Sequence, residues 1–128
     1  MATMSTAVAT VRPAGSAGAR ASARRFLGGL LPAPASEVAD AVVLVVSELV
    51  TNALRHGGGT CTLNLTAHPD SIEVAVHDPS PHLPRLRAPG LNSGSGGFGW
   101  PMVRRLAHAT AVTRQPTGGK TVSAFLTR

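Results

Sequence analysis

One stretch of about twenty residues, from Ser36 to the glycine triplet at 57–59, limits the folds open to this chain more than any other feature. Positions 42–46 read Val-Val-Leu-Val-Val, a β-branched run that locally favours a buried strand. The whole stretch is long for a strand, and Glu37 near its start would suit the positive end of a helix dipole. Length therefore favours a helix here, while local propensity favours a strand.

If this stretch is a helix, its second half carries a polar stripe. Glu48, Asn52 and Arg55 would stand at i, i+4 and i+7, so that a carboxylate, an amide and a cation project together. Such a stripe can position a water molecule, a metal ion and a phosphate. Taken alone, the same pattern is more often the solvated edge of a core helix. The opposite face is apolar and would pack on a hydrophobic layer; it carries Val42, Val43, Val46, Leu49, Val50 and Ala53.

The pattern of apolar residues in the rest of the chain predicts two further helices and five strands. Leu30 and Leu31 are among the expected core positions of the first helix. This order of elements predicts an α+β fold, a two-layer sandwich with one mixed, mainly antiparallel sheet and helices packed on one face. The predicted elements are a strand at 7–11, a helix at 16–31, the long helix, strands at 60–66 and 71–77, a helix at 100–108, and strands at 109–115 and 121–127.

Composition narrows the classes of function. The 128 residues fit one domain, in which we expect residues 1–5 to be disordered. Twelve Lys and Arg against six Asp and Glu give a net charge of +6, which suits an anionic ligand or partner. Nucleic acid would also suit this charge, but the arginines are scattered and no recognition motif accompanies them. Aromatic residues, at 3%, are too few for base-stacking platforms.

The single cysteine and the absence of long apolar runs indicate the compartment. Cys61 excludes an intrachain disulfide framework and suits a reducing environment, and we expect it to be a buried strand residue. No apolar run reaches the ~18 residues that a membrane span needs. We therefore expect a soluble, cytoplasmic protein with no membrane contact.

Three shorter motifs follow the long stretch in order. Asp78 ends a predicted strand, although an Asp-Pro pair alone is more often a turn opener. Residues 79–99 form a loop of unusual length, which in a compact domain is usually functional or disordered. Its last residues include Gly97 and Gly99 and lead into a helix, where free N–H groups could approach a phosphate. Residues 118–122 read Gly-Gly-Lys-Thr-Val, which would also suit a plain hairpin turn.

Taken together, these motifs resemble those of the GHKL ATPases, the family of gyrase, the large heat-shock chaperone, MutL and the sensor histidine kinases. The words Glu-Leu-Val-Thr-Asn-Ala-x-x-His at 48–56 resemble the N-box of that family. The likeness is greatest to the anti-sigma-factor serine kinases and the related stand-alone ATP-binding proteins of actinobacteria. The resemblance favours the helix at 36–57 and implies the Bergerat ATP-binding fold, with residues 79–99 as the ATP lid.

The resemblance also implies roles for the polar stripe. Glu48 would be the catalytic general base that activates a hydroxyl or water nucleophile. Asn52 would bind Mg²⁺, the one metal ion expected, and Arg55 would face the phosphates of ATP. Phosphoryl transfer needs positioning and neutralised charge more than covalent help, so these parts are chemically sufficient.

For the other motifs, the resemblance implies contacts with the nucleotide. Asp78 would accept a hydrogen bond from the exocyclic amine of adenine, and Thr121 would back the adenine pocket. Gly97 and Gly99 would belong to the second glycine box. The implied partners are a sigma factor and an antagonist protein that accepts phosphate on a serine. Members of this class often form homodimers, although the sequence shows no apolar patch that could be assigned to an interface.

One departure from the family pattern leaves two functions open. The first glycine box of the family runs Asp-x-Gly-x-Gly, whereas residues 78–82 read Asp-Pro-Ser-Pro-His. Losing both glycines stiffens the start of the lid and removes a close backbone approach. The chain could therefore be a protein-serine kinase, or a non-catalytic interaction module that binds nucleotide weakly.

Overall fold

The computed structural model describes residues 7–81 and 99–128, which form an α+β sandwich with helices on one face of an antiparallel sheet. Within these ranges, no helix is long and apolar enough to cross a membrane. The elements are β1 (Ala7–Val11), α1 (Ser16–Gly28), α2 (Ser36–His56), β2 (Thr62–Ala67), β3 (Ser71–Asp78), α3 (Gly99–Leu106), β4 (Ala109–Arg114) and β5 (Lys120–Thr127).

The strands form one sheet in the order β1-β2-β3-β5-β4. The sequence predicted a mixed sheet, but every pairing in the described part of the chain is antiparallel. The reason is that β5 returns from its hairpin with β4 into the place beside β3. It therefore lies between β3 and β4 and runs opposite to both of them.

Helix α2 confirms that length and burial outweigh local β propensity. Four valines of the run at 42–46 are buried, and Leu44 between them is half exposed. Burying a valine stabilises the fold by about 1.5–3 kcal/mol, whereas a residue of low helix propensity costs at most about 0.7 kcal/mol. The amphipathic packing of α2 therefore decides its conformation.

Helix α1 ends three residues earlier than the sequence predicted. It stops at Gly28, and the N–H of Gly29 donates to the carbonyls of Arg25 and Phe26. Leu30 is buried beyond the helix end, but Leu31, predicted as a core residue, is 85% exposed. Two consecutive glycines weaken the last turn, so the chain leaves the helix before Leu31 could reach the core.

The helix-facing side of β3 and β5 forms the centre of the core. Ile72, Val74 and Val76 on β3 are buried, and they oppose the buried residues Leu126, Ala124 and Val122 on β5. The next pair in the same register is Asp78 opposite Lys120, and both residues are buried as well. Two apolar rows thus end in two charged residues.

Candidate functional site

The most unusual feature of the core is the ion pair at the end of these two rows. Lys120 Nζ lies 2.9 Å from Asp78 Oδ1, and the two side chains are only 6% and 3% exposed. The N–H of Ser80 donates to the same oxygen at 2.9 Å. Asp78 therefore opens a turn, as a plain Asp-Pro pair would, and is also a buried carboxylate.

Glycine residues allow the backbone to approach Asp78 closely from two directions. A Cβ added at Gly57, just after α2, would lie 2.5 Å from Asp78 Cγ and 2.7 Å from Oδ2. A Cβ added at Gly119, in the turn before β5, would lie 2.3 Å from the Asp78 carbonyl oxygen. Gly119 also has φ +83°, a conformation that side chains rarely adopt. The C-terminal end of α2 thus lies against the carboxylate of Asp78, and the β4–β5 turn lies against its backbone.

The Asp78 carboxylate also affects the pKa of Cys61. It is buried immediately before β2, close to its predicted place in a strand. Burial raises the pKa of the Cys61 thiol above its ordinary value of 9.0, and the Asp78 charge raises it further. The electrostatic surroundings of Asp78 therefore extend from β3 to the start of β2.

Helix α2 places Glu48 and Asn52 on the flank turned away from α1. The other flank faces α1, because Ser47 accepts a hydrogen bond from Arg20 at 3.1 Å. Successive residues of an α-helix are about 100° apart, so Glu48 points well away from the α1 contact. Both Glu48 and Asn52 are half-buried, and Arg55, one turn further on, is exposed.

These side chains are spaced along α2 in a definite order toward Asp78. At a rise of about 1.5 Å per residue, Asn52 lies about 7.5 Å before Gly57 along the axis, and Glu48 about 13.5 Å before it. Because Gly57 contacts the Asp78 carboxylate, Asp78 stands at one end of this series and Glu48 at the other. Helix α2 thus holds Asn52 and Glu48 at fixed distances along its axis from the end that contacts Asp78.

Of the two glycines predicted to contact the nucleotide, the structure describes Gly99 but not Gly97. Gly99 is the first residue of α3 and has φ +44°, and Pro101 falls in the first turn, where its missing N–H costs nothing. Gly97 lies outside the described residues, as does most of the predicted lid at 79–99. Helix α3 contacts α2, so Gly99 begins an element that packs on the helix bearing Glu48 and Asn52.

Thr121 is not brought together with the other predicted residues. Its hydroxyl accepts a hydrogen bond from Gln115 Nε2 at 3.0 Å and lies 3.3 Å from His77 Nδ1. His77 and Thr121 are cross-strand partners on the sheet face opposite Asp78. The residue of this turn that shares a face with Asp78 is its neighbour Lys120.

Sequence reasoning therefore missed Lys120. The signal was present, because Lys120 has the same spacing of two residues as the apolar Val122, Ala124 and Leu126 of the last strand. Alternation with a period of two assigns Lys120 to the apolar face and Thr121 to the other. A lysine on that face needs a buried acidic partner, which is the role that Asp78 fills.

A known protein family and a solved structure each match almost the whole described fold. The sequence model of the family described as "Histidine kinase-like ATPase domain" matches residues 9–125. A search of curated proteins gives no match. Among solved structures, the chain is similar to the crystal structure of the RsbU and RsbW domains of Rv1364c from Mycobacterium tuberculosis, with a TM-score of 0.65 and 16% identity over 94% of this chain.

The present chain spans 33% of the length of that solved structure, and at this identity the likeness concerns the fold. The family match runs from β1 to β5 and includes α2, Asp78 and Lys120. The ATP-binding fold expected from the sequence is thereby confirmed. The chain belongs to the family of histidine kinase-like ATPase domains.

Proposed function

We propose that this chain is an ATP-binding regulatory protein of the anti-sigma-factor kinase type, which transfers the γ-phosphate of ATP to a serine of an antagonist protein. It would sequester a sigma factor in the cytoplasm when that antagonist is phosphorylated. The observation that carries the proposal is the buried Asp78 carboxylate, held against the end of the helix that bears Asn52 and Glu48.

Recognition of adenine fits the surroundings of Asp78. A buried carboxylate costs free energy unless it is hydrogen-bonded, and Asp78 Oδ1 already has two donors, Lys120 Nζ and the N–H of Ser80. Its other oxygen, Oδ2, lies against Gly57, where a larger residue would leave no room. The exocyclic amine of adenine is a donor of the right kind for this oxygen.

Binding of the triphosphate would use the polar flank of α2 and the glycine box that leads into α3. The carbonyl oxygen of the Asn52 side chain is a suitable ligand for a hard cation, and Arg55 supplies a nearby positive charge. Gly97 and Gly99 would let the backbone approach the phosphates. Mg²⁺, when bound with the nucleotide, neutralises charge on the phosphates. Glu48, nearest the middle of α2, would accept the proton of the attacking hydroxyl.

The proposed partners are supported by the family and by the domains that the similar structure contains. That structure contains an RsbW domain beside an RsbU domain, and the present chain matches a third of its length. We propose a sigma factor and a serine-bearing antagonist as the partners of this chain, and a homodimer as an assembly to test. Ultracentrifugation of the pure protein measures directly whether it forms this homodimer.

A second candidate function is a nucleotide-binding interaction module without turnover. The glycines of the family's first glycine box are replaced by Ser80 and His82, and the exposed Pro79 between Asp78 and Ser80 lies close to two glycines of neighbouring segments. A Cβ on Gly58 would lie 2.8 Å from Pro79 Cγ, and one on Gly119 would lie 3.0 Å from Pro79 Cα. A stiff start to the lid would slow its closure and favour binding without catalysis.

The two functions are separated by Glu48→Ala, with Glu37→Ala in the exposed first turn of the same helix as the matched control. Calorimetric titration with Mg·ATP measures binding, and chromatography of the products measures ADP formation. For a kinase, Glu48→Ala retains binding and loses about 10²–10⁴-fold in turnover, while Glu37→Ala matches the wild type.

Three other outcomes are informative. Binding by the wild type without any ADP formation, either from hydrolysis or in the presence of a serine-bearing antagonist protein, favours the interaction module. Turnover by Glu48→Ala at the wild-type rate contradicts the role of Glu48 as general base. No binding heat at millimolar Mg·ATP contradicts the proposal as a whole.

A further inference from the structure

We infer that Lys120 is a base-reading residue, which donates a hydrogen bond to the ring nitrogen N1 of adenine while Asp78 accepts from the exocyclic amine. This inference rests on the proposed function, since it concerns the base-recognising end of the same nucleotide site. The Asp78–Lys120 pair leaves hydrogen-bonding capacity unused on both side chains, and a bound base could use it.

The ammonium of Lys120 has three N–H donors. Within residues 7–81 and 99–128, its hydrogen bond is to Asp78 Oδ1. The side chain is 6% exposed, so water has little access to the remaining donors. A buried ammonium with spare donors is costly, and an acceptor on a bound ligand would remove part of that cost.

The carboxylate has matching spare capacity. In the described ranges, both donors to Asp78, from Lys120 and Ser80, reach Oδ1. Oδ2 lies over Gly57. A spare acceptor on Asp78 and spare donors on Lys120 are therefore held side by side, because the antiparallel register places the two residues directly opposite each other.

This arrangement is complementary to one edge of adenine. Adenine presents the donor N6–H next to the acceptor N1, so that Asp78 and Lys120 can be satisfied together. Guanine reverses the two groups, with an acceptor oxygen at C6 and a hydrogen on N1. Lysine also suits this place better than arginine, because its compact ammonium can approach a single ring nitrogen while it stays on the carboxylate.

A purely structural role explains the pair less well. Replacing a buried ion pair by apolar residues of similar volume is often neutral or stabilising, so such a pair is weak evidence for a contribution to stability. The cross-strand pairs that precede it in the same rows are apolar: Ile72 with Leu126, Val74 with Ala124 and Val76 with Val122. The charges begin where the rows reach Gly57 and the β4–β5 turn.

The first test changes the ligand and leaves the protein intact. Wild-type protein is titrated with Mg²⁺ complexes of ATP, of 1-deaza-ATP, which has a CH group in place of N1, and of 7-deaza-ATP as the control. Losing a hydrogen bond to a charged donor should weaken binding of 1-deaza-ATP about 10-fold or more. Binding of 7-deaza-ATP should equal that of ATP.

The second test removes the ammonium. In Lys120→Met, the preference for ATP over 1-deaza-ATP should disappear. The matched control is Arg114→Met, which removes one positive charge from the exposed residue directly opposite Lys120 on β4 and should retain the wild-type preference. If Lys120→Met does not fold, the wild-type ligand series alone decides.

The failures of the two proposals can be distinguished. Tight binding of ATP with equal binding of 1-deaza-ATP contradicts the role of Lys120 and leaves the proposed function standing. Tighter binding of ATP by Lys120→Met also contradicts it, because the ammonium would then compete with the base for Asp78. No binding of ATP by the wild type overturns both.

Discussion

Two ion pairs of the described structure use the same chemistry in opposite surroundings. Arg24 and Asp40 join α1 to α2 at 3.4 Å, and their side chains are 59% and 66% exposed. Lys120 and Asp78 join β5 to β3 at 2.9 Å, and theirs are 6% and 3% exposed. Lys120 is also the single lysine of the sequence, whose other basic residues are arginines.

The difference in burial changes what each pair can do. The exposed pair gains little because water already solvates both charges, and it contributes about 0–1 kcal/mol. The buried pair has lost that solvation, so each charge depends on the other and on any ligand group that reaches it. The exposed pair is therefore only a contact between two helices, whereas the buried pair is suited to recognition of a ligand.

The largest effect is expected from breaking the buried pair. Lys120→Met leaves the Asp78 carboxylate buried without its cation, and we expect the free energy of unfolding to fall by about 3–5 kcal/mol. Urea denaturation, followed by circular dichroism, measures the change. Combining it with Asp78→Asn should recover more than half of the loss. A loss below about 1 kcal/mol would mean that the pair is solvated like the exposed one.

A smaller effect is expected from crowding the carboxylate. Gly57→Ala adds a methyl group 2.5 Å from both Asp78 Cγ and the Ala53 carbonyl oxygen. Overpacking of this kind typically costs about 1–3 kcal/mol, and it should also weaken ATP binding. The control is Gly28→Ala, where an added Cβ meets nothing within 4 Å. Equal stability of the two variants in thermal unfolding would show that Asp78 does not pack on Gly57.

The pH dependence of stability should reveal the raised pKa of Cys61, to which burial contributes most and the Asp78 charge contributes further. Burial and the Asp78 charge raise the pKa of this thiol, so the folded protein keeps the proton after the unfolded chain has lost it. The stabilisation from the protonated thiol is complete below pH 9.0 and is lost as the pH rises above that value. Unfolding of Cys61→Ala at a series of alkaline pH values should show a shallower decline than the wild type. An identical decline would contradict the raised pKa of the thiol.

The smallest effect is expected at the exposed pair. Arg24→Ala, Asp40→Ala and the double variant form a cycle whose coupling energy should be below about 0.5 kcal/mol and should decrease with added salt. Chemical denaturation at low and high salt measures both quantities. A coupling as large as that of the buried pair would remove the distinction on which the comparison rests.

The fold could be predicted closely because its apolar patterns are long. Helix α2 could not be predicted from local propensity alone. Val42 to Val46 favour a strand locally, but their burial against the sheet makes this segment helical. The end of α1 was misplaced because Leu31 has the spacing of a core residue, yet Gly28 and Gly29 end the helix first. Every strand pairing among the described residues is antiparallel, because β5 lies between β3 and β4 and runs opposite to both, which tertiary contacts decide.

The candidate site could be predicted only in part. The polar flank of α2 and the strand-end position of Asp78 follow from helical and strand periodicity. The partner of Asp78 does not, because a shift of one residue exchanges Lys120 for Thr121, and a short turn motif does not fix that register. The structure fixes it through Gly118 and Gly119, both with positive φ, which return the chain so that Lys120 meets Asp78.

The central claim is that the buried carboxylate of Asp78 recognises the base of a nucleotide. Calorimetric titration of Mg·ATP into the wild type and into Asp78→Asn, with folding of both checked by circular dichroism, tests it most directly. We predict saturable binding by the wild type and binding at least about 10-fold weaker by the variant. Equal affinity of the two folded proteins for Mg·ATP, or no binding by either, would contradict the claim.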